Sequence, residues 1–500
     1  MKKFLFVLLF VILLSACDET NSGTSSEKDT DSTEISIMTQ FYSATPPSDD
    51  NALEQAIEEK TNTKLNIQWN SSNNYQDKFN VAMVSEELTD LVLIPNEDPF
   101  TNPVFMDAAE QGAFWDVSSY IDDYPNLKNK IPEVAWELSS LNGANYFVPR
   151  PRPSEGSYFF TLRKDWLKNV GLEMPTTDEE LYEVLKAFSE QDPDQNGKDD
   201  TTGFTGAIWD DSMGDFENFE FMFTGVIGEW KEENGELIYS AFLPGMREGI
   251  EYMKKAYEEG LIAEDFASLT NTQKEDMFSG GDAGVMIQTA SSAKYFYDII
   301  SENDSNYELT DFQPVMNING YNPKGTGYNG GNAIPKTVPE EKMKEILGML
   351  DTWMEDDIFK LHHTGIEGVH HTLNGDGELE IDQEKVEEDG LGNFSQIVFV
   401  ADPYGNGYKS DFPEDAKEVY KEIIDEKSKT GVGPVAAGLV TESSEKYLPE
   451  IRKNMTDIKI KIILGHEPIT AWDDFVEQLK KDQGMQQVTQ EINDLYQSRK

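Results

Sequence analysis

Apolar positions first form an unbroken run, Phe4 to Leu14 (FLFVLLFVILL), behind Lys2 and Lys3. At about 1.5 Å per residue such a run falls short of a hydrocarbon core of roughly 30 Å. It reads as the h-region of a signal peptide covering residues 1–16. Residues 17–33 (CDETNSGTSSEKDTDST) lack apolar periodicity and predict a flexible tether. Alternation begins at EISIMTQF (34–41), a strand. The helical pattern NALEQAIEEKT, the strand KLNIQWN (64–70), the helical pattern YQDKFNVAMVSE and the buried-strand run DLVLI (90–94) follow. Strands alternating with helices at this spacing predict an α/β unit with a parallel sheet. Around 145–164 two strand-like pieces, NYFVPRPRP and SYFFTLRKDWL, meet at Pro149, Pro151 and Pro153. Proline favours extended chain and lacks an N–H, so this segment reads as a crossover between lobes. Helices are expected near 178–190, 244–260 and 271–279, then a strand at 282–290. The Gly-rich NPKGTGYNGGNAIPK (322–336) reads as a return crossover, and the last 50 residues as helical. About 480 residues after the leader exceed what one core usually holds. The expected division is therefore a first lobe from 34–150, a second from 151–320, and 321–500 shared between them.

The residues after the apolar run sharpen this picture. Leu14-Ser15-Ala16-Cys17 resembles the lipobox of bacterial lipoproteins, in which the cysteine is acylated (palmitate being the expected chain) and becomes the first residue after cleavage. An incidental cysteine behind an ordinary signal is the competing reading. Cys17 is the only cysteine in the chain, so no disulfide framework explains it. Each buried methylene adds about 0.8 kcal/mol, so two or more acyl chains make a lasting anchor. Loss of residues 1–16 removes two lysines and no acid, leaving 39 basic against 94 acidic residues, a net −55. Nucleic acid and anionic lipid are repelled by such a chain, and membrane contact is expected through the lipid alone, on the outer face of the cytoplasmic membrane.

Four stretches carry a further resemblance: RKDWLKNVGLEMPTTDEELYEVLKAF (163–188), DPDQNGKDD (192–200), GIEGVHHT (365–372) and ILGHEPITAWDDFVEQLKKDQGMQQVTQEINDLYQ (463–497). Together they resemble the Gram-positive extracellular solute-binding lipoproteins that serve oligosaccharide ABC importers, relatives of the alginate-oligosaccharide-binding proteins. The resemblance implies a periplasmic-binding-protein-like (type II) α/β clamp of two lobes with crossover strands as its hinge. It also implies a monomer that captures an oligosaccharide and hands it to the importer's membrane subunits.

DPDQNGKDDTTG (192–203) has calcium-loop spacing. Ca²⁺ takes oxygens from alternating positions of a tight loop whose sixth residue is glycine. Asp192, Asp194, Asn196 and Asp200 fall on those positions, with Lys198 offering its carbonyl and Gly197 the sharp turn. The resembled family places a glutamate where this chain has Thr201, which leaves the Thr201 hydroxyl or carbonyl, or Asp199, to supply an oxygen in its stead. A structural Ca²⁺ is expected, against the alternative of a solvated Asp/Asn/Gly turn.

A sugar site needs aromatic platforms and planar polar groups in a preformed cleft. The candidates are Arg150 and Arg152 at the first crossover, Trp209 after the calcium loop, Trp230, Tyr328 in the return crossover, and Glu367, His370 and His371. Trp166 and Trp472 fall in amphipathic helical patterns and are assigned to packing. HHTGIEGVHH holds four of the five histidines but lacks the HExxH spacing of a zinc helix. No GxSxG, HExxH or P-loop pattern is present, so an exported carbohydrate-active enzyme is the weaker reading. A carrier of peptide or another solute, or one feeding a membrane sensor, is the other.

Overall fold

The structure is a computed structural model that describes residues 32–499 apart from 44, 50, 86, 95–101, 142, 210, 376–378 and 402–412. The leader, Cys17 and the tether up to residue 31 lie outside the described residues. The strands are β1 (Thr33–Phe41), β2 (Thr63–Ser71), β3 (Leu91–Ile94), β4 (Val148–Pro151), β5 (Phe159–Arg163), β6 (Thr202–Phe204), β7 (Trp230–Glu233), β8 (Glu236–Tyr239), β9 (Ala283–Gln288), β10 (Phe312–Pro314), β11 (Asn322–Pro323) and β12 (Tyr328–Ala333). One sheet runs β2-β1-β3-β12-β4 and a second β10-β5-β9-β6.

Pattern explains position in the first sheet. At the edge, β2 mostly alternates between more and less buried residues; in the middle, β3 is buried at every residue, as expected of a strand covered on both faces. The intervening helix Ala52–Thr61 starts where the Asn51 side chain accepts the Glu54 N–H and stops at Asn62 in the left-handed region. Strands β2 and β3 both pair parallel with β1.

The two sheets are joined where the prolines predict. Pro149 and Pro151 lie on β4, the other edge of the first sheet, where a missing N–H is tolerated. From there residues 152–158 lead to β5 in the second sheet. The Gly-rich return is more than a crossover. Residues 328–333 form β12, inserted antiparallel between β3 and β4. Gly331 makes this insertion possible, because a Cβ there would lie 2.3 Å from Phe147 Cδ2 and 2.5 Å from the Val148 carbonyl oxygen.

Each sheet has its own core. The first gathers residues from Ile35 to Val148 and from Tyr328 to Val398. The second gathers Phe159 to Ile318 and the helices Glu442–Ile463, Thr470–Leu479 and Gln483–Arg499. A smaller cluster around Phe278, Phe296 and Phe312 packs Tyr420 of the helix Glu414–Ser428. Trp166 and Trp472 are buried in the second core. The architecture is the two-lobed, periplasmic-binding-protein-like α/β fold. Among the described residues no helix is long and apolar enough to cross a membrane.

Candidate ligand cavity

A cavity of about 820 Å³ opens on the second lobe beside both connections, with Tyr158 from the outgoing chain and Pro323 from the returning one in its wall. Its other walls come from Trp209, residues 211–229, the helix Asn271–Gly280 and the helix Glu442–Ile463, with Ser240, Met246, Ile287 and Gln288 completing the lining. The segment Gly214–Thr224 explains much of the chemistry. Phe216, Phe219 and Phe221 turn into the core, which brings Asp215, Glu217 and Glu220, between and beside them, to the cavity wall. Gly214 is obligatory here: its φ is +54°, and a Cβ would meet the Ala207 carbonyl oxygen at 2.4 Å.

The wall carries three ion pairs. Lys274 Nζ donates to Asp215 Oδ2 at 2.6 Å, and that oxygen also accepts the Ala207 N–H at 2.8 Å. Lys459 Nζ donates to Glu220 Oε2 at 2.8 Å. All four of these side chains are buried. Arg452 grips Glu229 with two bonds, Nε to Oε1 at 2.9 Å and Nη2 to Oε2 at 2.6 Å. Glu220 Oε1 is buried and has no hydrogen-bond partner.

Glu217 is exposed at the cavity wall, with protein closely surrounding its carboxyl. Desolvation, with help from the Glu220 carboxylate, pushes its carboxyl up to about 7. Glu275, which accepts from Gln288 Nε2 at 3.3 Å, is also raised by desolvation. Trp209 and Tyr158 stand in the same wall with 51% and 52% of their surface exposed. Such half-exposed rings beside polar groups can stack on the C–H face of a sugar while the polar groups meet its hydroxyls.

Of the eight sequence candidates for ligand contact, Trp209 alone lines this cavity. Trp230 and Tyr328 line a neighbouring cavity of about 300 Å³ but are themselves buried, Trp230 against Tyr239 and Tyr328 against Phe147. Arg150 is not among the residues lining this cavity. It is 3% exposed and its guanidinium is spent on Asn329 and Gln396. Arg152 lies over the Phe399 ring at 4.0 Å and donates to the Pro151 carbonyl.

The histidine stretch is likewise a set of internal ties. His370 is fully buried, accepts the Ile366 N–H at Nδ1 and reaches Asp389 with Nε2 at 3.0 Å. His371 Nδ1 lies 2.6 Å from the Thr364 carbonyl, and Glu367 is exposed on the same turn. Neither residue lines the cavity.

In the loop 192–203, Asp192, Gln195 and Gly197 all have positive φ. The turn gathers Asp192, Asp194 and Asp200: Asn196 Nδ2 lies 2.6 Å from Asp194 Oδ2 and 3.1 Å from Asp200 Oδ1. Gly197 N–H points at the Asp192 carboxylate. Desolvation and the neighbouring Asp192 and Asp200 raise the Asp194 carboxyl. The Thr201 hydroxyl donates to the Phe188 carbonyl at 2.7 Å. As the loop stands, no three His, Cys, Asp or Glu side chains among the described residues are arranged around an ion.

The second-lobe residues missed from sequence are Lys274, Arg452, Lys459, Glu217 and Glu220. One signal was available: Lys459 lies three and four positions before Ile462 and Ile463, inside the apolar stripe of its helix.

Two α/β lobes with a polar, aromatic-walled cavity beside their connections define a ligand-capturing protein. The chain belongs to the bacterial extracellular solute-binding protein family, whose model matches residues 44–342. It is 33% identical to lipoprotein LipO of Bacillus subtilis (strain 168), over 100% of this chain and 99% of LipO. It is 29% identical to the polygalacturonan/rhamnogalacturonan-binding protein YtcQ of the same organism, over 99% of each. Among solved structures, alginate-binding protein AlgQ2 without calcium ion shares the fold at a TM-score of 0.65 and 21% identity, over 93% of this chain and 98% of that one.

Proposed function

We propose that the protein captures an oligosaccharide in the 820 Å³ cavity and delivers it, chemically unchanged, to an ABC importer. The observation that carries this reading is the pairing of two half-exposed aromatic rings, Trp209 and Tyr158, with a wall of ordered charged and amide groups. Ligand contacting both lobes would favour the closed arrangement by its differential affinity for it. The test is a thermal-shift screen of oligosaccharides followed by analysis of the recovered sugar. Stabilisation with intact sugar supports the reading; new reducing ends would replace it with an enzyme. Trp209→Ala should weaken the best ligand by about tenfold, the loss of one stacked face. Trp209 is half exposed, so the melting temperature of the free protein should barely move.

The anchor and the metal belong to the same reading. Cys17→Ser should shift the protein from the membrane fraction to the medium, and retention at the membrane would overturn lipid attachment. Asp192, Asp194, Asn196, Asp200 and the Lys198 carbonyl would hold Ca²⁺. Crowded carboxylates in a tight turn suit a divalent cation, and turning the Asn196 amide would put an oxygen where its nitrogen now lies between two of them. The metal would pin the entry to β6 and stabilise the lobe by mass action. Asp194→Ala should then lower the melting temperature in calcium and do little in chelator; an equal loss in both would remove the metal site.

A further inference from the structure

Among the described residues, three cations and six carboxylates line the cavity. Lys274, Lys459 and Arg452 each have a carboxylate of their own, Asp215, Glu220 and Glu229. That leaves Asp211, Glu217 and Glu275 in the wall as acids in excess. Glu220 Oε1 is buried and closed to solvent, so this carboxylate adds negative charge to the wall without presenting that oxygen to a ligand. Arg150 and Arg152, the sequence candidates for meeting an anionic sugar, are committed elsewhere. Further along the helix Glu442–Ile463, Asp107 and Glu110 of the first lobe are near enough to Glu445 to help raise its carboxyl, after desolvation. Acid faces acid there.

We propose that this cavity selects sugar units that carry no carboxylate, which donate hydroxyl or ammonium hydrogens to Glu217 and Glu275, and that it rejects uronates. The inference rests on the cavity being an oligosaccharide site. A uronate would enter a wall of net negative charge with every cation already paired, and its own carboxylate would have to displace one of the protein's. A neutral ring meets no such repulsion: its hydroxyls can donate to the carboxylates and accept the remaining N–H hydrogens of Lys274 and Lys459. The preference would distinguish this chain from YtcQ, which by its name binds polygalacturonan.

The test is calorimetric titration of the whole protein with matched trisaccharide pairs, neutral and uronic, in galacto, gluco and manno configurations, together with chitosan oligomers. In every pair that binds, the neutral member should bind at least about tenfold tighter, the scale expected of one unscreened like charge a few ångströms away. Glu217→Lys should narrow that gap by about threefold or more. A uronate binding as well as its neutral partner, or a gap untouched by Glu217→Lys, overturns the inference while leaving the sugar reading intact. A panel in which no member binds overturns both.

Discussion

Lys459→Met should cost the folded state about 3–5 kcal/mol, and adding Glu220→Met should recover most of that loss. Lys459 and Glu220 are 3% and 5% exposed and meet at 2.8 Å. Taking the ammonium away leaves a carboxylate that is buried and already lacks a partner on its other oxygen. An unpaired buried charge is the costly state; the intact pair is close to neutral against two apolar side chains of similar size. Urea unfolding of the two single variants and the double variant gives the coupling directly. A loss under about 1 kcal/mol would mean that cavity water solvates Glu220 and that the pair is not a closed unit.

The same pair shows where sequence reasoning reached its limit. The chain has 94 acids, so no acid is conspicuous, and a lysine on an amphipathic helix ordinarily reads as a solvated face. Which of them meet is decided by packing between the helices Glu217–Thr224 and Glu442–Ile463, more than 200 residues apart in the chain. Local pattern did better with what local physics decides. The alternation at 34–41, the strand pattern at 64–70 and the apolar run of β3 all mark elements that formed. Strand β12 (YNGGNA) was read only as a crossover because it has one aromatic residue, no β-branched one and two glycines. It is a strand because β3 and β4 supply the hydrogen-bonding partners on both sides, and Gly331 fits the space that Phe147 leaves. Closeness in sequence brought His362, His370 and His371 together on paper, whereas each side chain takes a separate buried or backbone partner.

His362 carries the other large expected effect, a loss of stability in acid. It is 2% exposed, ringed by Trp353, Phe359 and Phe394, and its Nε2 accepts the Trp353 indole N–H at 2.8 Å. Burial, with a smaller contribution from His363, pushes its pKa down to about 3. The unfolded chain titrates near 6.5, so below that pH the unfolded state binds a proton that the folded state refuses. Stability from this group is therefore complete above about pH 6.5 and falls as pH drops towards 3, by about 3 kcal/mol between pH 6.5 and 4. Glu217 works in the opposite sense. Its raised carboxyl stabilises the fold below the unfolded value and loses that contribution as pH rises through about 7. Comparing the wild type with His362→Gln separates the two, since the glutamine can still accept from Trp353 but does not titrate. The stability difference between the proteins should shift by about 3 kcal/mol in favour of the variant on going from pH 7 to pH 4. Chemical denaturation across that range measures it, and a difference that stays constant would mean that the imidazole accepts its proton inside the fold.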